Sequence, residues 1–378
     1  MAEFLLMLFP VAFVTILVVG ARRRKNEEAA SGAWNLDQAK ALQAVAALMI
    51  ILHHLVQRIT NYGAVNKGPV TLWNFFGILF TTIFFFFSGF GLYKNYRARE
   101  DYLDGFLKHR LPKVLVPFLL TNVIYLLLFA GDRIKSPGFI LTSIFGFTLI
   151  NHNAWFVVEI IILYIAFYVC FRWCRSERAA ICCLTGFTLL LVMGSLLLGH
   201  DSGGKEDIRW WFMGEWWYNT TLIFIMGILF AKYERQIKAA MGKAWKVLLP
   251  VSVVLLAGWY ILEQFIEGRF GYYQEWAGHP GYPEKLITLL VQLILCMLFM
   301  FVLLLINLKV RFGNPVLRFL GAISFEIYLI HDVYMRLLPG GVGKKLPDPA
   351  YLALTYGLSI LTAWVIAKVD RSLLKRKE

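Results

Sequence analysis

The chain predicts an all-α, polytopic bundle of about eleven membrane-spanning helices, a ten-helix core preceded by one additional N-terminal span. Three observations predict it. Of the 378 residues, 59% are hydrophobic and only 16% are charged, against roughly 25% charged in soluble domains. Apolar runs long enough to cross about 30 Å of hydrocarbon recur from end to end, and mean hydropathy is +0.62. The basic residues fall between those runs rather than on one soluble block. The net charge of +14 therefore reads as a topology signal and not as a nucleic-acid surface.

The first run, residues 4–20, is followed at once by Ala21-Arg22-Arg23-Arg24-Lys25. A cleaved signal carries its charges before the apolar region, so this order predicts a retained span with its basic end in the cytoplasm. Residues 1–30 are read as an extra anchor and basic loop.

The second run, 36–58, reads LDQAKALQAVAALMIILHHLVQR. An ionisable group at membrane depth is costly unless solvated or paired, which makes it a functional candidate. From Gln43 to His54 is a net turn of about 20° and a rise of roughly 16 Å. Lys40, Gln43 and His54 thus share one stripe, and His53 lies about 100° away. The competing reading is a snorkelling Lys40 with two histidines at the outer interface beside Arg58.

Further spans are predicted at 71–92, 112–130, 154–171, 179–198, 218–231, 247–262, 286–308, 319–337 and 351–367, while 138–149 is too short to cross. With these spans, 27 of the 38 basic residues fall in one set of alternating loops. That set is cytoplasmic by the positive-inside rule, with the N-terminus outside and the C-terminus inside. No internal repeat is evident. The five cysteines lie in or beside apolar runs and form no metal spacing or disulfide framework.

Polar residues cluster in three more places. Ser88-Gly89-Phe90-Gly91 suits close helix approach. The loop beyond leads to Lys108, Arg110 and Lys113, cations that can hold a phosphorylated ligand or serve only lipid contact and topology. His152, Trp155 and Glu159 stand at the outer mouth of the span at 154–171; His152 and Glu159 read as binders of a polar substrate or as interfacial residues, and Trp155 and Glu159 are assigned to substrate. In FLGAISFEIYLIHDVYM (319–335), Ser324, Tyr328 and His331 are spaced i, i+4, i+7, within about 60° on a helix. Glu326 falls on another face and is expected to pair with a neighbouring helix. Two aromatic outer segments, with Trp210, Trp211, Trp216 and Trp217 in one and Phe270, Tyr272, Tyr273, Trp276 and Tyr282 in the other, read as an interfacial belt or a sugar-stacking platform.

Taken together, LDQAKALQAVAALMIILHH, FFFFSGFGLYKNY, FLKHRLPKVLVPF, the AWFV at Trp155, FIMGILFAKYERQ from Phe224 and FLGAISFEIYLIHDVYM resemble, in order, the acyltransferase-3 family. These are multi-span membrane acyltransferases that include polysaccharide O-acetyltransferases. The resemblance covers roughly 36–368 and marks 31–378 as the family domain. The family typically shows Arg or Lys, ten residues, then His. Measured back from His54, that position here is Gln43, with Lys40 one turn away.

The resemblance implies transfer of an acyl group, usually acetyl from acetyl-CoA, to a sugar hydroxyl at or across the cell membrane. Acyl-CoA would be a co-substrate rather than a resident cofactor, and no metal is implied. The partners implied are membrane lipids, acyl-CoA and a glycan or lipid-linked sugar. His54, with His53 secondary, is the expected general base or acyl acceptor, since imidazole titrates near neutral pH. Ser324 and His331 are expected to orient the acceptor or stabilise the oxyanion, Tyr328 to contact substrate beside Trp155 and Glu159. Lys40, Gln43, Lys108, Arg110 and Lys113 are assigned to the CoA side. The rival class is a transporter or flippase of a lipid-linked or acylated glycan. Against it stand the lack of an inverted repeat and an expected scarcity of buried acids.

Overall fold

The computed structural model describes residues 2–24, 33–198, 211, 215–270 and 281–375. Among the described residues there are fourteen α-helices and one pair of two-residue strands. Eight helices are long and apolar enough to cross a membrane, and two shorter apolar helices, Phe4–Val18 and Asn219–Lys232, fall on predicted spans. The all-α polytopic class stands. Of the two aromatic outer segments, Trp210, Trp216, Trp217, Tyr272, Tyr273 and Trp276 lie outside the described side chains.

The chain forms two compact units. Unit 1 comprises Met1–Phe84, Lys238–Trp245 and Leu303–Glu378. Its axis is α2 (Leu36–Thr60), about 37 Å long at 1.5 Å per residue. Asn35 caps its start by accepting from the Gln38 N–H at 3.1 Å. Asn61 ends it in the left-handed region at φ 48°, a conformation asparagine tolerates better than most residues. Around α2 pack α1 (Ala2–Val18), α12 (Pro315–Ala322), α13 (Ser324–Leu337) and α14 (Asp348–Lys375). Lipid tails are as apolar as leucine, so hydrophobic burial does not drive such association; close packing does. Ala39, Ala41, Ala44, Ala46 and Ala47 keep α2 slim, and all are buried.

The predicted span 319–337 is not one helix. It breaks at Ile323 (φ −127°, ψ 13°) between α12 and α13. The Ser324 hydroxyl donates to the Gly321 carbonyl at 3.3 Å, occupying an acceptor that a continuous helix would use. The span predicted at 71–92 also shifts: a 3-10 turn, Val70–Phe75, precedes α3 (Gly77–Ala98).

Unit 2 comprises Phe85–Ile237 and Lys246–Val302. It holds most of α3, then α4 (Phe106–His109), α5 (Pro112–Phe129), α6 (Pro137–Ile144), α7 (Trp155–Trp173), α8 (Glu177–Leu197) and α9 (Glu215–Lys232). It also takes most of α10 (Glu234–Phe270) and α11 (Tyr282–Lys309). The eight residues of α6 are too few to cross, as expected. Within unit 2, α3 and α9 touch backbone to backbone. A Cβ on Gly89 would strike the Phe224 carbonyl, and one on Gly227 the Phe86 carbonyl. The motif FFFFSGFG is thus a close-approach face, as its small residues predict.

Loops that share a predicted face meet one another. In unit 1, Arg22 pairs with Arg311 in the antiparallel strands β1 (Arg22–Arg23) and β2 (Val310–Arg311). At the opposite end, Lys67 pairs with Asp348 at 2.9 Å. In unit 2, Arg97 and Lys232 both pair with Glu177, and Arg172 pairs with Asp104.

One expectation is corrected. Buried acids are not scarce: Glu159, Glu263, Glu326, Asp332 and Asp370 are all buried. Sequence reading undercounts them because several sit in apolar helices and draw partners from other helices. Glu159 accepts from Thr221, and Glu263 accepts from Gln264 and Gln292.

Candidate active site

From Ala39 to Thr60, α2 is buried except at Lys40, Gln43, His53, His54, Gln57 and Arg58. Every partly accessible position on that stretch is polar, and they lie at its two ends. Between them Ala44 to Leu52 are apolar and buried. The stripe of Lys40, Gln43 and His54 is therefore not an open polar passage along α2. It is two polar ends joined by a packed middle.

At the far end, His54 of α2 stacks on His331 of α13, with ring centroids 5.4 Å apart and planes inclined by 16°. His53 lies 4.9 Å from His54, tilted by 55°. The surroundings fix the tautomers. His53 Nδ1 is 3.0 Å from the Trp73 carbonyl, and His331 Nδ1 is 2.5 Å from the Tyr328 carbonyl. A carbonyl can only accept, so both Nδ1 atoms carry the proton and each Nε2 carries the lone pair. His54 Nδ1 faces Gln57 Oε1 at 3.3 Å. With the amide oxygen accepting, His54 likewise presents Nε2 as a base.

An ion-pair clasp holds the two helices in register. Asp332, 3% exposed, accepts from Arg58 Nη2 at 3.0 Å and forms an ion pair with Arg336 Nε at 2.5 Å. Arg58 Nη1 also donates to the Met335 carbonyl at 3.0 Å, and the Tyr351 hydroxyl donates to the same carbonyl at 2.9 Å. The competing sequence reading, histidines near Arg58, describes this position along α2. The clasp adds that Arg58 is tied to α13.

Residues 36–368 match a family described as an acyltransferase domain, the acyltransferase-3 domain. The chain belongs to the acyltransferase-3 family. It is a membrane acyltransferase. No curated protein and no solved structure matches it. The match begins at Leu36, the first residue of α2, so α1 lies outside it.

The acyltransferase brings together some of the predicted site residues and not others. His54, His53 and His331 converge. Tyr328 is buried beside them, its ring 6.0 Å from that of His331 and 6.4 Å from that of Phe84. Ser324 does not join them. It stands seven residues from His331, about 10 Å along the axis, and its hydroxyl is engaged by Gly321. Lys40 and Gln43 occupy the opposite end of α2 from His54, about 16–21 Å away. There Lys40 of α2 is within electrostatic reach of Glu326 of α13.

In unit 2 of the acyltransferase, Lys108 and Lys113 are exposed. Arg110 turns inward: its Nη2 donates to the Tyr164 hydroxyl at 2.8 Å, and the guanidinium lies 5.2 Å from that ring's centroid. Near it, burial pushes the Tyr102 hydroxyl up to about 12, with the Arg110 charge opposing the shift. Trp155 and Glu159 are buried rather than open at a mouth. Trp155 packs edge-on against Phe156, centroids 6.3 Å apart, and Glu159 accepts from the Thr221 hydroxyl.

Sequence reasoning missed Gln57, Asp332, Arg336 and the Trp73 carbonyl. Asp332 directly follows His331, and Arg58 follows His54 by one helical turn. Two opposite charges close to two histidines were the available signal.

Proposed function

We propose that this acyltransferase moves an acetyl group from cytoplasmic acetyl-CoA to a hydroxyl of a cell-surface or lipid-linked glycan. It would act in the plasma membrane, with its N-terminus outside and its C-terminus in the cytoplasm. The stacked pair of His54 and His331 carries this reading. An alcohol is a weak nucleophile at neutral pH and needs a base at the moment of attack. His54 Nε2 takes the hydroxyl proton, the oxygen bonds to the thioester carbonyl carbon, and the C–S bond breaks. The proton then passes from His54 to the departing thiolate. A two-step route, with Nε2 first accepting the acyl group, uses the same atom. His53 is held by Trp73 and crowded by Gly77, so it supports the fold of the site. Lys108 and Lys113, with Arg110 behind them, attract the phosphates of CoA.

The test is acyl transfer by purified variants in liposomes. His54→Ala should lower turnover by about 10²-fold or more, the usual scale for a missing general base. His53→Ala should cost much less. A dead His53→Ala beside a near-normal His54→Ala would reverse the assignment. Replacing Lys108, Arg110 and Lys113 with Gln should mainly raise KM for acetyl-CoA, by about 1.5–3 kcal/mol for each charge-assisted hydrogen bond removed. The buried carboxylates favour a second reading, transport of a lipid-linked glycan. Saturable binding of acetyl-CoA by the purified protein separates the two.

A further inference from the structure

Three helices of unit 2 end around a cavity of about 400 Å³. Its wall includes Tyr93, Lys94 and Arg97 from the last turns of α3, Glu177 from the first turn of α8, and Lys232 from the end of α9, with Tyr233 just beyond. None of these residues belongs to unit 1, which holds the histidine pair.

Three cations and one carboxylate share this wall. Glu177 accepts from Arg97 at 3.0 Å and from Lys232 at 2.8 Å, and from the Tyr93 hydroxyl. Lys94 reaches out of the wall to Glu234 at 2.9 Å. The side chains of Lys94 and Arg97 remain 43% and 66% exposed, so both present donors to the cavity's surroundings. The first turn of α8 adds backbone N–H groups and the positive end of a helix dipole. All of this lies where apolar spans end, on the face the charge pattern places in the cytoplasm. Two tyrosines frame it, as tyrosine does at the level of lipid headgroups. A concave basic site at that depth suits a phosphate carried on an acyl tail.

We propose that this cavity binds the phosphate headgroup of an anionic phospholipid from the cytoplasmic leaflet. Arg97 and Lys232, gathered by Glu177, and Lys94 would contact the phosphate oxygens, while the acyl chains lie along the apolar part of α3. The same phosphate chemistry is offered by free CoA, so the test must part the two sources.

The full chain is reconstituted in phosphatidylcholine vesicles with a minor fraction of phosphatidylglycerol, extracted gently and weighed by native mass spectrometry. The wild type should retain phosphatidylglycerol in preference to phosphatidylcholine. The variant Lys94→Gln/Arg97→Gln/Lys232→Gln should retain it about tenfold less or worse, since each cation near an anionic surface contributes. Glu177→Gln should raise retention, because it removes the carboxylate that competes for two of the three cations. Equal retention by wild type and triple variant overturns the proposal, as does equal retention of the two lipids by the wild type. Displacement of the lipid by millimolar free CoA reassigns the cavity to soluble phosphates and overturns it too. Should the triple variant fail to fold, Glu177→Gln decides alone: a rise in retention supports the lipid site, and a fall overturns it.

Discussion

His53 and His54 are adjacent in sequence and unlike in circumstance. The first gives its Nδ1 proton to a backbone carbonyl and sits against a glycine; the second faces a glutamine and stacks on another imidazole. If His54 is the base, activity depends on its neutral form. As pH falls, the protonated fraction grows, the Nε2 lone pair is lost, and kcat/KM should decline along a single-proton limb. That limb should vanish from the residual activity of His54→Ala. Asp332 acts one step further back, as a positioning residue. Asp332→Asn would leave Arg58 and Arg336 beside the histidines without their counter-charge. The expected cost lies between about 1 kcal/mol for an exposed pair and about 3–5 kcal/mol for a buried one, because Arg58 is partly exposed. It should appear as a lower melting temperature and a reduced kcat with little change in KM for the acyl donor. Intact stability and activity in Asp332→Asn would leave the clasp without a role. Helical spacing put Tyr328 and His331 on one face, together with Ser324, which does not join them; His54 was singled out by its helix face and by the family spacing. The clasp was not legible, because Arg58 and Met335 are 277 residues apart and nothing local ties them.

Among the helices, the close crossing of α3 and α9 was readable from Ser88-Gly89-Phe90-Gly91 as a kind of surface, though not its partner. The partner face, with Gly227, lay in a separate motif. Gly227→Leu should abolish folding, since its side chain would have to displace the Phe86 carbonyl. Gly91→Ala should be silent, for nothing lies within 4 Å of a Cβ there. Both are checked by insertion and monodispersity in detergent. Gly77→Ala probes the site instead: its Cβ would come within 2.5 Å of the His53 ring, so the ring must move. Activity should fall while the protein stays folded. The break between α12 and α13 escaped sequence reading because every residue from Phe319 to Ile323 is compatible with a helix. At the break the Ser324 hydroxyl bonds the Gly321 carbonyl, a side-chain event that periodicity does not register.

For the molecule as a whole, alternation of charged loops predicts an odd number of crossings. Reporters fused at the two ends should therefore fall on opposite sides of the membrane, the C-terminal one in the cytoplasm. Both on the cytoplasmic side would exclude that crossing number. Composition made the polytopic class plain. The division into two units was invisible, because it is not a division of the sequence. Unit 1 is assembled from the beginning of the chain, a short piece of α10 and the end of the chain, with all of unit 2 lying between the first and the last. That arrangement has a consequence for synthesis. A ribosome delivers His54 early, yet His331 and the far half of the Arg58–Asp332 clasp emerge only after unit 2 has been made. The strand that pairs with Arg22 also arrives late. A nascent chain must carry α2 in the bilayer with its polar end unmatched through most of translation. Any product truncated before α13 would lack His331 and with it the stacked imidazole pair, whatever else it had folded.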